Sequence, residues 1–442
     1  MRIATEKQAE KPTARAAERA AATRTVRLRV GDGRPPARPV GKGRRRGLLA
    51  ATAGLLVAAT FGAAAPASAA PHRLDTEALR RSLDGVPNAE VTGALVRVAG
   101  SDGHWWGTAG TADKDTGAPV RSDSSFRIGS ISKLFTGTVM LQLVAEHKVD
   151  LDAPVRRYLP GLLSEEYQDV KVGQLLNHTS GLPGASPEMT GANAEDPDQW
   201  YVDNRFRSWT PAEVVKLATA GKKPTFTPGT AQQYNGVNTH VAGLVIERVT
   251  GRTFAEEVRS RITRPLGLGR TYVPDADDFS LPEPHAHGYR TVKGELVDVT
   301  EQSPYAWAEG GMISTAADLD RFISALFRGK LLPPSQQKLL FELPDPKKVV
   351  NNRNKHCASL TDPTNQGVPC FSAIGLMRTE LKDGTVVWGK TGSEPGYVNA
   401  VLATPDLSRR VVYSLNYTSP PRSSELPYIL RIADAAFTSR GK

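Results

Sequence analysis

The feature that most limits the fold is the position of the strand-like segments. They stand at the two ends of the main body, with helical sequence between them. Val91–Ala99 and His104–Thr111 are rich in β-formers and flank the turn Gly100-Ser101-Asp102-Gly103. Near the other end, Ile374–Glu380, Thr385–Gly389, Tyr397–Thr404 and Arg409–Tyr417 read as short strands with tight turns, Asp383-Gly384 among them. Between these groups, Ile131–Lys148 carries Leu134, Phe135, Val139, Leu141, Leu143 and Val144 mostly on one side of a helix. His240–Thr250, Thr315–Phe327 and Leu426–Phe437 read as further helices. Strands this far apart bury their apolar faces by sharing one sheet. The expected class is α/β of the α+β type: a mixed, mainly antiparallel sheet flanked by helices, with a helical region beside it. Pro183–Trp209 and Pro344–Phe371 read as loops or insertions. Trp105, Trp106 and Trp388 are expected in the core or a cleft wall.

Residues 1–70 do not belong to that pattern. They are heavily basic as far as Arg44-Arg45-Arg46, then uncharged and rich in Leu, Ala, Val and Gly from Gly47 to Ala70. They end in Ala67-Ser68-Ala69, a small-residue cleavage pattern. This order is that of a secretory signal. The paired arginines before Gly47-Leu48-Leu49 suggest twin-arginine export, and an uncleaved membrane anchor is the alternative. The expected organisation is a targeting segment, 1–70, and one hydrolase domain, 71–442, in an exported protein whose membrane contact is limited to that segment. The targeting segment also accounts for the charge. It holds 14 of the 56 basic and 4 of the 46 acidic residues, so the remainder carries 42 of each. A neutral body gives no footing for nucleic-acid binding. Cys357 and Cys370 are the chain's two cysteines. In an exported protein such a pair reads as a loop-closing disulfide contributing about 3 kcal/mol.

The chemistry begins at Phe126-Arg127-Ile128-Gly129-Ser130-Ile131-Ser132-Lys133. If Ser130 opens a helix, Lys133 lies one turn on and faces the same way. A serine hydroxyl needs a base within hydrogen-bond reach, and lysine can serve if burial and nearby positive charge lower its pKa. The helix start also offers the Ser130 N–H to an oxyanion. The spacing is not unique: Ser335-Gln336-Gln337-Lys338 repeats it after Pro333-Pro334. That copy reads as a helix start with a solvated lysine. Singly, Tyr234 reads as a buried aromatic, Lys390-Thr391-Gly392 as a hairpin turn and His178 as a turn-stabilising residue.

Taken in order, the motifs are more specific. Phe126–Lys133, Leu176-Asn177-His178-Thr179-Ser180-Gly181-Leu182-Pro183, Phe226-Thr227-Pro228-Gly229-Thr230, Tyr234 before Val241–Glu247, Gly310-Gly311-Met312-Ile313-Ser314-Thr315 and Lys390-Thr391-Gly392 run from about Val91 to Tyr417. This series resembles the penicillin-recognising serine hydrolases of the class C β-lactamase and D-alanyl-D-alanine carboxypeptidase type. The resemblance implies a β-lactamase/transpeptidase-like fold. It implies Ser130 as nucleophile, Lys133 as its proton partner and Tyr234 as a second proton-transfer group. Lys390, Thr391 and Gly392 would receive the substrate carboxylate, and the Ser393 N–H would be the second oxyanion donor. No metal or cofactor is implied. Expected substrates are small molecules or peptides, namely D-Ala-D-Ala ends and β-lactams.

One position departs from the family. Its Tyr-x-Asn is here Tyr234-Asn235-Gly236. The absent side chain normally touches the catalytic lysine and the substrate amide, and Asn235 or Asn238 could stand in for it. The sequence therefore points to a D-alanyl-D-alanine carboxypeptidase-like acyl-enzyme former. A β-lactamase, an esterase and a silent penicillin-binding module remain as alternatives, and Gly-x-Ser-x-Gly is absent. Labelled penicillin is expected to add covalently to the wild type and not to Ser130→Ala, as read by intact mass. Equal labelling of both would remove Ser130 from the chemistry.

Overall fold

Strands from the two ends of the body pair directly. A computed structural model describes residues 74–345, 347–351, 370–381, 383–419 and 426–437. Residues 1–73, with the expected targeting segment, and Cys357 lie outside them. The described residues belong to one compact unit. The main sheet contains β1 (Val91–Gly100), β2 (Gly103–Gly110), β3 (Cys370–Phe371), β4 (Met377–Glu380), β5 (Val386–Glu394), β6 (Tyr397–Ala403) and β7 (Arg409–Tyr417). Its order is β2-β1-β7-β6-β5-β4-β3. Every pairing in it is antiparallel, with Val96 opposite Tyr413 where the two chain ends meet. Among the described residues, parallel pairing occurs outside the main sheet, between Ala231–Gln232 and Val350–Asn351 and in a single bridge from Ser125 to His285.

Both faces of the sheet are covered. Ala94, Val96 and Val98 of β1 join Ala400, Leu402, Val411, Tyr413 and Leu415 on one face, under helices α1 (Thr76–Arg81) and α5 (Leu426–Phe437). Leu95, Val401 and Val412 turn the other way, toward a larger core. That core surrounds α2 (Ser132–Ala145) and is completed by α3 (Val237–Thr250) and α4 (Ala316–Phe327). On α4, Asp320 takes Arg97 of β1 at 3.1 Å and Arg410 of β7 at 2.7 Å, tying helix to sheet.

Four expectations are corrected here. α2 is buried all round, Thr136 and Thr138 included, rather than along one stripe; it runs through the core instead of over its surface. The Pro183–Trp209 stretch contains two short helices, Pro187–Thr190 and Pro197–Asn204, each with proline in its first turn. Asp196 caps the second through Asp198 N and Gln199 N, a signal that the turn-forming composition hid. Pro344–Phe371 ends in a true sheet strand, β3, with both residues buried. Trp388 is buried and Trp105 packs against the smaller core, but Trp106 faces solvent at 55% exposure because it points outward from edge strand β2.

The same packing sets the spacing around Ser130. Ser125–Arg127 pairs with Ile313–Thr315. Arg127 is buried and donates to the carbonyls of Phe279 and Thr300. β5 then presses on the turn that follows. A β-carbon built on Gly392 would lie 2.0 Å from Ile128 O, and one on Gly129, whose φ is +54°, would lie 2.6 Å from Ser393 N. Only glycine permits that approach. Gly392→Ala is expected to leave a folded protein whose acylation by penicillin is about 100-fold slower, as read by stopped-flow labelling beside a thermal melt. Wild-type acylation would show that the approach does not set the geometry.

Candidate active site

Ser130 lies in a tight turn, Gly129–Ile131, that feeds directly into α2. Lys133, in the first turn of that helix, is 3% exposed and directs Nζ to Ser130 Oγ at 3.2 Å. The repeated spacing at Ser335 differs: Ser335 and Lys338 are both exposed, and Ser335 Oγ donates to Gln336. Context separates the two copies, because only Ser130 opens a buried helix.

Tyr234 closes the arrangement from the other side. The Ser130 side chain is among the groups that act on its hydroxyl. Its ring lies 5.2 Å from Lys133 Nζ and 4.7 Å from Lys390 Nζ. Burial would raise the Tyr234 pKa, but the two ammonium groups, with the Ser130 side chain after them, outweigh it and bring the phenol below its ordinary value of 10.0. Burial, with Lys133 second among the depressing charges, lowers Lys390. Lys133 is different. Burial pulls it down, but the Glu309 carboxylate and Tyr234 more than compensate and hold the ammonium above its usual value. The condition under which lysine could serve as the base, a lowered pKa, is therefore not met at Lys133. The site thus lowers the pKa of Tyr234 and raises that of Lys133.

Lys390, Thr391, Gly392 and Ser393 all lie on β5, not in a turn; the chain reverses after Glu394. Lys390 also donates to Thr391 O at 2.8 Å. The backbone of Ser393 runs beside Gly129, one residue before the candidate nucleophile. Asn235 takes no part. It is buried, its amide donates to the carbonyls of Leu182 and Pro183, and its own carbonyl receives the Val237 N–H. Asn238 is likewise spent on Ser180 and His178. Neither replaces the side chain missing at Gly236.

Several site residues carry no mark in the sequence. Phe371 of β3 packs edge-on to His178 and at 5.1 Å from Tyr234. His178 is 2% exposed, and burial with the two lysine charges pushes it down to about 3, so it sits neutral under the tyrosine. Glu309 comes from a short turn, Trp307–Gly310. Its Oε1 is 3.4 Å from Lys133 Nζ, its backbone carbonyl 2.9 Å from the same atom, and its Oε2 3.2 Å from His240 Nε2. Burial opposes its charge, but Lys133 and His240 prevail and hold it down to about 2. Gly236, His240 and Gly243 follow one face of α3 at helical spacing. A β-carbon on Gly236 would lie 1.7 Å from Glu309 Oε1, and one on Gly243 would lie 2.6 Å from the Trp307 ring. The two glycines make the notch that admits this turn, and Trp307 enters it with φ at +42°, a conformation a bulky residue holds only under tight packing. The one sequence signal for Glu309 was the empty place at Gly236. Cys370 is disulfide-bonded next to Phe371. Among the described residues, no group of three or more His, Cys, Asp or Glu side chains is placed to hold a metal ion, and no helix is long and apolar enough to cross a membrane.

The arrangement suits acyl transfer. A hydroxyl lies between an ammonium and an acidified phenol, and backbone N–H groups stand at the head of a buried helix. Comparisons with known proteins agree with that chemistry. A D-stereospecific amidohydrolase from Streptomyces sp. is similar over 83% of this chain and 100% of its own, with 32% identity and a TM-score of 0.69. Esterase EstB of Burkholderia gladioli is 30% identical over 49% of this chain and 60% of its own length. Penicillin-binding protein 4 of Amycolatopsis lactamdurans is 30% identical over 48% and 54%. This chain thus spans little more than half the length of those last two relatives. Residues 78–435 match the family described as Beta-lactamase, and the chain belongs to that family of serine hydrolases, which includes penicillin-binding proteins.

Proposed function

We propose that this chain is an exported D-stereospecific amidohydrolase that forms an acyl-enzyme at Ser130. The observation that carries the mechanism is the Tyr234 phenol, within 5.2 Å of two buried ammonium groups, one of which reaches Ser130 Oγ at 3.2 Å. Tyr234 as phenolate takes the Ser130 proton while Oγ attacks the substrate carbonyl. The N–H groups of Ser130 and Ser393 receive the oxyanion. Tyr234 O–H then gives its proton to the leaving amine as the C–N bond breaks. Water follows the same route in reverse roles: Tyr234 accepts its proton and returns one to Ser130 Oγ. Lys133 remains an ammonium throughout and stabilises the phenolate.

Selectivity for a D-configured acyl residue is supported by the likeness to the Streptomyces amidohydrolase over that protein's full length. D-alanyl-D-alanine peptide ends are one substrate of this class. Lys390 and Thr391, on the strand beside the nucleophile, support a carboxylate-bearing leaving group, which would make the enzyme a carboxypeptidase of cell-wall peptides. Export is supported by the basic, apolar and small-residue order of the first 70 residues.

A parallel assay distinguishes the readings, using a D-amino-acid amide, its L enantiomer, a D-Ala-D-Ala peptide, a chromogenic cephalosporin and a short-chain ester. The D-amide and the D-Ala-D-Ala peptide are expected to turn over fastest, and Tyr234→Phe to lower kcat for both by about 1000-fold. A cephalosporin or ester preference, or preference for the L amide, would contradict the proposal.

A further inference from the structure

The exchange at position 236 changes what the site can bind, as well as what holds Lys133. An asparagine there would offer an amide N–H₂ to the substrate as well as a carbonyl to the lysine. Here the β-carbon of any such side chain would fall 2.0 Å from Glu309 Cδ. The carboxylate occupies the space where that side chain would begin. It is ionised, and an ionised carboxylate only accepts hydrogen bonds. It is also not fully used: one oxygen faces Lys133, the other His240, and the side chain keeps 31% exposure.

A substrate's α-nitrogen stands two bonds beyond the carbonyl carbon that Ser130 attacks. Glu309 lies one lysine head group away from Ser130 Oγ, so the two come within reach. N-acylation at that nitrogen would remove its positive charge and leave a single neutral N–H for the carboxylate. A free α-ammonium would make charge-assisted hydrogen bonds. A second carboxylate stands nearby. Glu394 follows Ser393 on β5, and its Oε1 is 2.7 Å from a β-carbon built on Gly310, the residue after Glu309. Its side chain makes no hydrogen bond or ion pair with another described residue. Burial first, and the Glu309 charge second, push it up to about 8. An arriving cation would favour its ionised form.

We propose that Glu309, seated in the space left by glycine at position 236, makes the site select acyl donors with a free α-ammonium group over N-acylated donors. This rests on the reading of the chain as an amide hydrolase acylated at Ser130. Within that reading it narrows the preferred substrates to D-aminoacyl amides and to peptides cleaved after a D-residue with a free amino end, the dipeptide D-Ala-D-Ala among them, and places N-acylated cell-wall peptide ends second. Glu309 is a specificity-determining residue here and, through Lys133, a positioning one.

The test compares kcat/KM for D-alanine p-nitroanilide and N-acetyl-D-alanine p-nitroanilide in wild type, Glu309→Gln and the double variant Gly236→Asn/Glu309→Ala. Both rates are read on the same protein sample, so a partly folded variant loses both and keeps its ratio. Wild type is expected to prefer the free amine by about 10- to 100-fold, the span of a hydrogen bond to a charged group. Glu309→Gln should lose most of that preference, and the double variant should favour the acetylated substrate. Glu309→Gln should also move the alkaline limb of the pH profile to lower pH, because Lys133 loses the charge that holds its proton. A wild-type ratio near one, or an unchanged ratio in Glu309→Gln, overturns the Glu309 assignment alone. Turnover of neither anilide by wild type overturns the amide-hydrolase reading as well.

Discussion

Two buried ammonium groups beside one phenol ring are the interaction on which the rest of this site depends. Burying a lysine is costly unless its charge is met. Lys133 is met by Glu309, and both lysines by Tyr234. With Tyr234 as phenolate, the two positive and two negative charges balance. Any one member removed leaves its neighbours with an unpaired buried charge. The tyrosine's acidity is thus a property of the group rather than of the residue.

The fold supplies the closeness. Ser130 and Lys133 come from the start of α2, Tyr234 from the segment before α3, Lys390 from β5 and Glu309 from a strained turn lodged on α3. Glycines bring these elements into contact where side chains would hold them apart. Gly129 and Gly392 let β5 approach the nucleophile, and Gly236 and Gly243 let the Trp307–Gly310 turn settle against α3. The sheet that joins the two ends of the body fixes β5, so the active site depends on pairing between distant strands.

Ser130, Lys133, Tyr234 and Lys390 could be anticipated together because their motifs follow one another in the order the family resemblance implies; taken singly, none of those motifs is specific. The sheet could be read because its strands are long and β-branched. Glu309 could not. The sequence around it, Trp307-Ala308-Glu309-Gly310, is ordinary, and its partners Gly236 and His240 are distant in the chain. Only the missing asparagine marked a gap, and which residue filled it depended on packing. Asn235 misled for a similar reason. Its neighbour Tyr234 belongs to the site, but its own amide is bound to the backbone at Leu182 and Pro183. Lys133 misled in sign. Desolvation argued for a neutral amine, and a carboxylate invisible to local reading kept it charged.

The claim that Tyr234 is the working base is tested most directly by its own titration. Protein carrying ¹³C at the tyrosine ζ position, with Tyr234 assigned by comparison with Tyr234→Phe, reports the phenol-to-phenolate change by NMR. The resonance should titrate below pH 10 and move upward in Lys390→Ala, since a nearby positive charge has been removed. A midpoint at or above 10 in the wild type would contradict the account and return the role of base to Lys133.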